Sequence, residues 1–291
     1  MLRFKYHLLL LLTAAIWGFA FVAQRLGNEH IDPFLFNGLR FGMGALFVWI
    51  LALLTGRKQL RFSRGGLLLG LVLFTASSLQ QVGLIWTSAG AAGFITGLYI
   101  VFVPLIGLIR KQAVSGKLIG ALLLSIGGLV LLNDFSDLRI SAANGLVLLG
   151  AVFWAVHVQY TDKCRQKTDT LSLVVNQYTV AALGSLLVSL IVNRDSLGNP
   201  MLLLRIGNAA WPLLYGGIFS VGIAFSLQAY AQKHVAPSPA ALILCTEGVF
   251  AMISGYLVLH EKIDLYSIMG AFLISGGMIL ALLPGRKLSS A

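Results

Sequence analysis

The 291-residue chain is 58% hydrophobic and only 11% charged, with a mean hydropathy of +0.88. A soluble domain carries about 25% charged residues, so this composition excludes a water-soluble globular protein and leaves lipid as the solvent. Two cysteines, Cys164 and Cys245, support neither a disulfide framework nor a metal site, and the formal charge of +11 is explained by topology rather than by a nucleic-acid partner.

In chain order, ten windows are apolar enough to cross a bilayer: 7–24, 34–55, 66–86, 90–109, 116–132, 144–160, 171–192, 211–231, 236–257 and 266–283. Arg3 and Lys5 precede the first window as in a signal peptide. That run extends to about Val22 and similar spans follow, so it reads as an uncleaved first span. The short links 87–89 and 232–235 require tight helical hairpins. Pro33, Pro212, Pro237 and Pro239 stand at helix starts, where a missing N–H costs little. Pro104 lies inside the fourth span and is expected to kink it.

Lys and Arg set the orientation. With the N-terminus in the cytoplasm, Arg3, Lys5, Arg57, Lys58, Arg61, Arg64, Arg110, Lys111, Lys117, Lys163, Arg165, Lys167, Lys233, Arg286 and Lys287 fall on the cytoplasmic side. Arg25, Arg139, Arg194, Arg205 and Lys262 fall outside, as do most of the acidic residues Glu29, Asp32, Asp134, Asp137, Asp195, Glu261 and Asp264. Both termini are therefore expected in the cytoplasm of a multi-pass protein of the cell (inner) membrane.

The two halves of the chain repeat each other. A shift of 137 residues brings Ala14 and Trp17 onto Ala151 and Trp154, and Arg40 onto Gln177. A shift of 148 brings Leu79-Gln80 onto Leu227-Gln228, and Ala92, Ile95, Val101 and Phe102 onto Ala240, Ile243, Val249 and Phe250. A shift of 150 aligns Gly120-Ala121, Leu123, Ser125 and Gly127 with Gly270-Ala271, Leu273, Ser275 and Gly277. The expected fold is an all-α integral membrane protein of ten transmembrane helices in two inverted five-helix repeats, 1–140 and 141–291. Five is odd, so the second half enters the membrane upside down, which is the architecture of alternating-access transporters.

Ionisable residues within spans are costly, by about 2.5–3.5 kcal/mol each on insertion scales, and are functional suspects. Glu247 sits near the middle of the ninth span and Arg40 in the second. Glu247 suits a proton carrier or a partner for a substrate amine; the alternatives are a fixed ion pair with Arg40 or a protonated carboxyl bonded to backbone. Arg40 either holds a substrate carboxylate, pairs structurally or snorkels. His157 in the sixth span either titrates, binds substrate or packs between helices. Gln80 and Gln228 are repeat mates, either lining the axis or bonding between helices, and Asn37, Asn176, Gln177 and Tyr178 face the same choice. Tyr99 is the repeat mate of Glu247 and is expected at the same depth. Trp17 and Trp154, also mates, either wall a flat substrate or simply pack. The fifth and tenth spans carry few polar residues beyond Ser125, Ser267 and Ser275, and belong at the periphery. Gly66/Gly70, Gly93/Gly97 and Gly116/Gly120 allow close helix approach.

Several local patterns resemble one family. The first span reads Ala15-Ile16-Trp17-Gly18, and the second has Arg40-Phe41. The fourth begins Thr87-Ser88-Ala89-Gly90 and continues to Val103-Pro104-Leu105. The ninth has Glu247, then Val249-Phe250-Ala251, with Glu261 at its end. The chain resembles the drug/metabolite transporter superfamily in its ten-span EamA-type branch over nearly its whole length. It departs from the family pattern at Gly248, where a proline is usual, and at His260, where a glycine is usual. The resemblance implies a central cavity and a secondary transporter that exports or exchanges small metabolites, amino acids or drug-like compounds, without an organic cofactor.

The expected partners are a small-molecule substrate and the lipid bilayer, with protons and a second copy of the chain as options and no nucleic acid. An importer of a sugar or nucleotide-linked metabolite ranks second, since its anionic cargo calls for more basic residues than Arg40 alone. A membrane enzyme is disfavoured because no HExxH or GxSxG pattern occurs and no span holds two carboxylates. A channel lacks interrupted selectivity loops, and an ATP-driven pump lacks a phosphate-binding loop.

Overall fold

The computed structural model describes residues 2–56, 61–112, 116–132, 142–164, 169–194, 198–263 and 265–282. The topology residues Arg57, Lys58, Asp134, Asp137, Arg139, Arg165, Lys167, Asp195, Asp264, Arg286 and Lys287, the side chains of Arg3 and Ser267, and the boundary expected at 140 lie outside the described residues.

The described residues are helical, without strand. The helices are α1 (Leu2–Asn28), α2 (Pro33–Leu54), α3 (Arg64–Gly83), α4 (Ala89–Gly97), α5 (Tyr99–Ile109), α6 (Gly116–Leu132), α7 (Ala142–Cys164) and α8 (Thr170–Val192). The short α9 (Leu202–Asn208) and α10 (Ala210–Leu214) follow. A π-helical stretch π1 (Tyr215–Phe225) then leads into α11 (Ser226–Ala231), α12 (Pro237–Leu244), α13 (Glu247–Leu259) and α14 (Leu265–Leu282). Eight of the resulting segments are long and apolar enough to cross a membrane: α1, α2, α3, α4–α5, α7, α8, α10–π1–α11 and α12–α13. Shorter apolar stretches, Gly116–Gly128 and Ile268–Gly277, lie in α6 and α14. Leucine, isoleucine and phenylalanine cover the outer surface, Ile109 and Leu203 being more than 80% exposed, as only a lipid-facing surface tolerates. The chain is a multi-pass membrane protein.

Side chains at the helix starts satisfy backbone donors that would otherwise be orphaned. Asp32 accepts the N–H groups of Phe34 and Leu35 at 3.0 Å each, with Pro33 leading α2. Ser63, Ser88 and Asp169 cap α3, α4 and α8 in the same way. Asp32 also accepts from Ser189 and Asn193, tying the start of α2 to the end of α8.

Hydrogen bonds group the helix ends into two faces. On one face Arg25 donates to the Thr87 carbonyl at 2.6 Å, Thr87 to Asn144, and the Glu261 carboxylate accepts the N–H groups of Ala89 and Gly90. On the opposite face Arg110 donates to Gln159 at 2.6 Å and lies 3.9 Å from Asp162, while Ser172 and Asn176 bond the backbone of Arg61.

The packing is reciprocal between the first and second halves of the chain. α3 packs on α7 and α8, as the π1 segment packs on α1 and α2. α4 and α5 pack on α7, as α12 and α13 pack on α1. α2 pairs with α8, α4–α5 with α12–α13, and α6 with α14. The last pair makes few contacts with the rest, so the two short apolar helices lie at the periphery.

The α4–α5 segment breaks at Leu98, six residues before Pro104. Pro104 sits inside α5, and the break is a tight turn in which Leu98 donates to Ile95 and Val101 donates to Leu98. The α12–α13 segment breaks at Cys245-Thr246 with no proline at the break, where Thr246 donates to Ile243 and Gly248 to Cys245. α4 starts 148 residues before α12 and α5 the same distance before α13, so Tyr99 and Glu247 each open the second half of a broken span. α1 and α13 approach closely: a Cβ on Gly18 would lie 2.3 Å from the Cβ of Phe250.

Candidate substrate cavity

The cavity at the centre of the bundle is built from both halves of the chain. α1 supplies Trp17, Ala20, Phe21 and Gln24, and α2 supplies Arg40. Gln80 comes from α3, Thr96 from α4, Tyr99 from α5, and Trp154 and Val158 from α7. Ser220 and Phe225 of π1, Gln228 of α11, Leu244 of α12 and Glu247 of α13 complete the wall. The volume open to the centre of a water molecule is about 40 Å³, room for about three waters. Every polar lining residue named here is buried; Trp17 and Trp154 are half-buried.

Seven of the eight side chains singled out from sequence therefore meet in one cavity: Trp17, Arg40, Gln80, Tyr99, Trp154, Gln228 and Glu247. His157 is not on its wall. It lies behind it, fully buried, with its ring centroid 5.8 Å from that of Trp154 in an edge-on arrangement and its Nε2 2.7 Å from Gln177 Oε1. Gln24, Thr96, Ser220 and Phe225 were not anticipated.

Part of the polar wall is held in place. Gln80 accepts from Trp154 Nε1 at 2.8 Å and from Thr96, and donates to Gln24. Trp17 Nε1 donates to the Ser220 carbonyl at 3.2 Å, and Thr13, one turn earlier on α1, donates to the carbonyl of Ala224. These two donors fall on the π-helical stretch, whose wider turn displaces carbonyls from ordinary α-helical bonding. Phe225 is the hub of the aromatic cluster, with ring centroids 4.5 Å from Trp17 and 5.7 Å from Trp154.

The rest of the polar wall is only partly paired. Arg40 donates from Nε to Asn37 at 2.8 Å and lies over the Phe41 ring, and its two terminal nitrogens make no hydrogen bond to a described residue. Arg40 and Glu247 do not form an ion pair, so the pairing entertained from sequence is absent. The Tyr99 hydroxyl and one oxygen of Glu247 are buried neighbours without a hydrogen-bond partner in good geometry. The Gln228 side chain also makes no bond to a described residue, unlike its repeat mate Gln80. A buried polar group left unmatched costs about 1–3 kcal/mol, which applies to Tyr99 and Glu247; Arg40 and Gln228 line the same space. An anion suits Arg40 and a hydrogen-bond donor suits Glu247, beside an aromatic wall in which Phe225 packs against both indoles.

The described residues bring together no set of metal-binding side chains. The sequence profile of the EamA-like transporter family matches residues 4–134 and again 141–283. The chain is 29% identical to an uncharacterised transporter of Archaeoglobus fulgidus, over 93% of this chain and 83% of that one. It is 28% identical to a second from the same organism, over 95% and 96% of the two chains, and 26% identical to the uncharacterised transporter YoaV of Bacillus subtilis, over 91% and 92%. A solved crystal structure superposes with a TM-score of 0.79 at 18% identity, covering 98% of this chain and 99% of the other; at that identity the likeness concerns the fold.

Proposed function

Because the chain belongs to the EamA-like transporter family, we propose that it moves a small metabolite by alternating access, through ten spans arranged as two inverted five-helix halves, 1–140 and 141–291. One observation carries this reading. Ten of the cavity residues form five repeat-matched pairs: Trp17 with Trp154, Phe21 with Val158, Gln80 with Gln228, Thr96 with Leu244, and Tyr99 with Glu247. A site on a pseudo-two-fold axis is lined in this paired way, and the axis relates a state open to one face with a state open to the other. The reciprocal packing, the two span breaks 148 residues apart and the two stretches matched by the family profile support the same division.

Substrate lies against the wall of Trp17, Trp154 and Phe225, in a cavity that widens when it enters. Arg40 holds an acidic group of the cargo through its free nitrogens. Glu247 takes a proton or a substrate ammonium in the dry centre, where an unpartnered carboxylate is costly. The halves then rock about the site. The Lys and Arg distribution supports both termini in the cytoplasm, and the resemblance to metabolite exporters and exchangers supports export or exchange across the cytoplasmic membrane; an importer of sugar or nucleotide-linked cargo is the second reading.

The test is uptake of a mixed metabolite extract into proteoliposomes, with and without a pH gradient, for the wild type and Glu247→Gln. Gradient-driven accumulation that the variant loses identifies the cargo and supports proton coupling at Glu247. Accumulation indifferent to both the gradient and the substitution removes Glu247 from the mechanism and leaves a facilitator or exchanger.

A further inference from the structure

Five residues on the cavity wall have repeat mates that are not on it: Ala20, Gln24, Arg40, Ser220 and Phe225. Three of these lean one way. Gln24 lies four residues from the end of α1, and Arg40 seven residues from the start of α2, so with Ala20 they lie toward the face that carries Glu29 and Asp32. At the 137-residue shift their mates are His157, Thr161 and Gln177. These lie toward the opposite face, near the end of α7 and the start of α8.

The mates form a cluster of their own. His157, Thr161 and Gln177 are each no more than 1% exposed. His157 Nε2 meets Gln177 at 2.7 Å, while His157 Nδ1 and the Thr161 hydroxyl are buried without a hydrogen-bond partner. Three polar side chains sealed together with two orphaned atoms are expensive in a membrane interior unless another state uses them. The aromatic wall is the partition: His157 packs edge-on against both Trp154 and Phe225, which face the cavity on their other side.

We infer that His157, Thr161 and Gln177 form a second half-site, which replaces Ala20, Gln24 and Arg40 on the cavity wall when the site opens to the opposite face. This rests on the inverted-repeat reading above. The exchange has a chemical consequence. On one side the cargo meets the fixed cation of Arg40; on the other it meets only imidazole, hydroxyl and amide groups. An acidic group is held by charge in the first state and by hydrogen bonds in the second, which eases its release.

Single cysteines in the full chain test this, in membrane vesicles of each orientation, against the background from Cys164 and Cys245. The probe is a membrane-impermeant methanethiosulfonate with a trimethylammonium head, read by mass shift. Glu29→Cys and Lys163→Cys, both exposed, report the two faces. Gln24→Cys should label only from the Glu29 face, and Thr161→Cys and Gln177→Cys only from the Lys163 face, each several-fold above background. Ser185→Cys, fully buried on α8 and off the cavity wall, should stay silent. If Glu29→Cys and Lys163→Cys label from the same face, the inverted halves fail, and this inference with them. If they label from opposite faces while Thr161→Cys and Gln177→Cys stay silent, or label from the Glu29 face, the second half-site is wrong and the repeat stands. Ser185→Cys labelling as strongly as Gln177→Cys overturns it too, because the access is then general loosening.

Discussion

Gly18→Ala probes a close approach between the two halves, where α1 meets α13 beside the cavity. The added Cβ would lie 2.3 Å from the Cβ of Phe250, and 2.8 Å from both the Ala251 nitrogen and the Glu247 carbonyl oxygen. Ordinary contact between carbon atoms is about 3.5–4.0 Å. The obstacles are backbone atoms and a Cβ, which no rotamer change moves, so α1 and α13 must separate by on the order of 1 Å. Overpacking of this kind costs about 1–3 kcal/mol, and the separation also strains the 3.1 Å bond from Ser254 to the Gly18 carbonyl. Alanine recovers about 1 kcal/mol of helix propensity. Gly42→Ala on α2 is the control, since nothing lies within 4 Å of its Cβ; it gains the propensity without the clash. The propensity gain is common to both, so the two variants should differ by the clash alone, about 1–3 kcal/mol, measured by equilibrium unfolding in mixed detergent micelles. Gly18→Ala should also weaken substrate binding, because α13 carries Glu247. Equal stability of the two variants would refute the close approach.

Asp32→Ala removes the cap of α2 and the acceptor for Ser189 and Asn193, and should cost about 1–2 kcal/mol in the same unfolding assay, with Asp32→Asn recovering most of it. His260 stands with φ of 54° where glycine is free of strain, so His260→Gly should stabilise the fold by about 0.5–1 kcal/mol, the net of left-handed strain and glycine entropy; a loss of stability would contradict that backbone geometry. Trp154→Phe keeps an aromatic ring but shrinks the indole to a phenyl and removes the 2.8 Å bond to Gln80. It should lower stability by about 1 kcal/mol, and it should change cargo affinity more than Trp49→Phe on the exposed side of α2 does.

Much of the framework is legible in the chain itself. Long apolar runs imply helices because backbone groups in lipid must bond within their own segment. Asp32, Ser63, Ser88 and Asp169 mark the starts of helices by local hydrogen bonding that needs no tertiary partner. The shifts of 137 and 148 residues relate Trp17 to Trp154 and Tyr99 to Glu247 before any fold is known. Those pairs then meet in one cavity, because a matched depth in matched spans is a statement about sequence position. Phe225 and Gln24 carry no such mark, since in so apolar a chain a lining phenylalanine looks like a lipid-facing one.

Tertiary structure decided what depends on neighbours distant in sequence. No residue at Leu98 or at Cys245-Thr246 announces a break, yet both segments break there, where α4–α5 and α12–α13 pack on each other. The π-helical turn of Tyr215–Phe225 meets donors from Thr13 and Trp17, some two hundred residues away. Whether Arg40 and Glu247 pair could not be read from their charges, because a salt bridge requires proximity; both reach the cavity and remain apart. His157 and Arg40 looked alike as ionisable groups in spans, yet one is sealed behind the indole wall and the other faces the cavity. Sequence position set their depth in the membrane, and the packing of Trp154 and Phe225 set which of them the cavity sees.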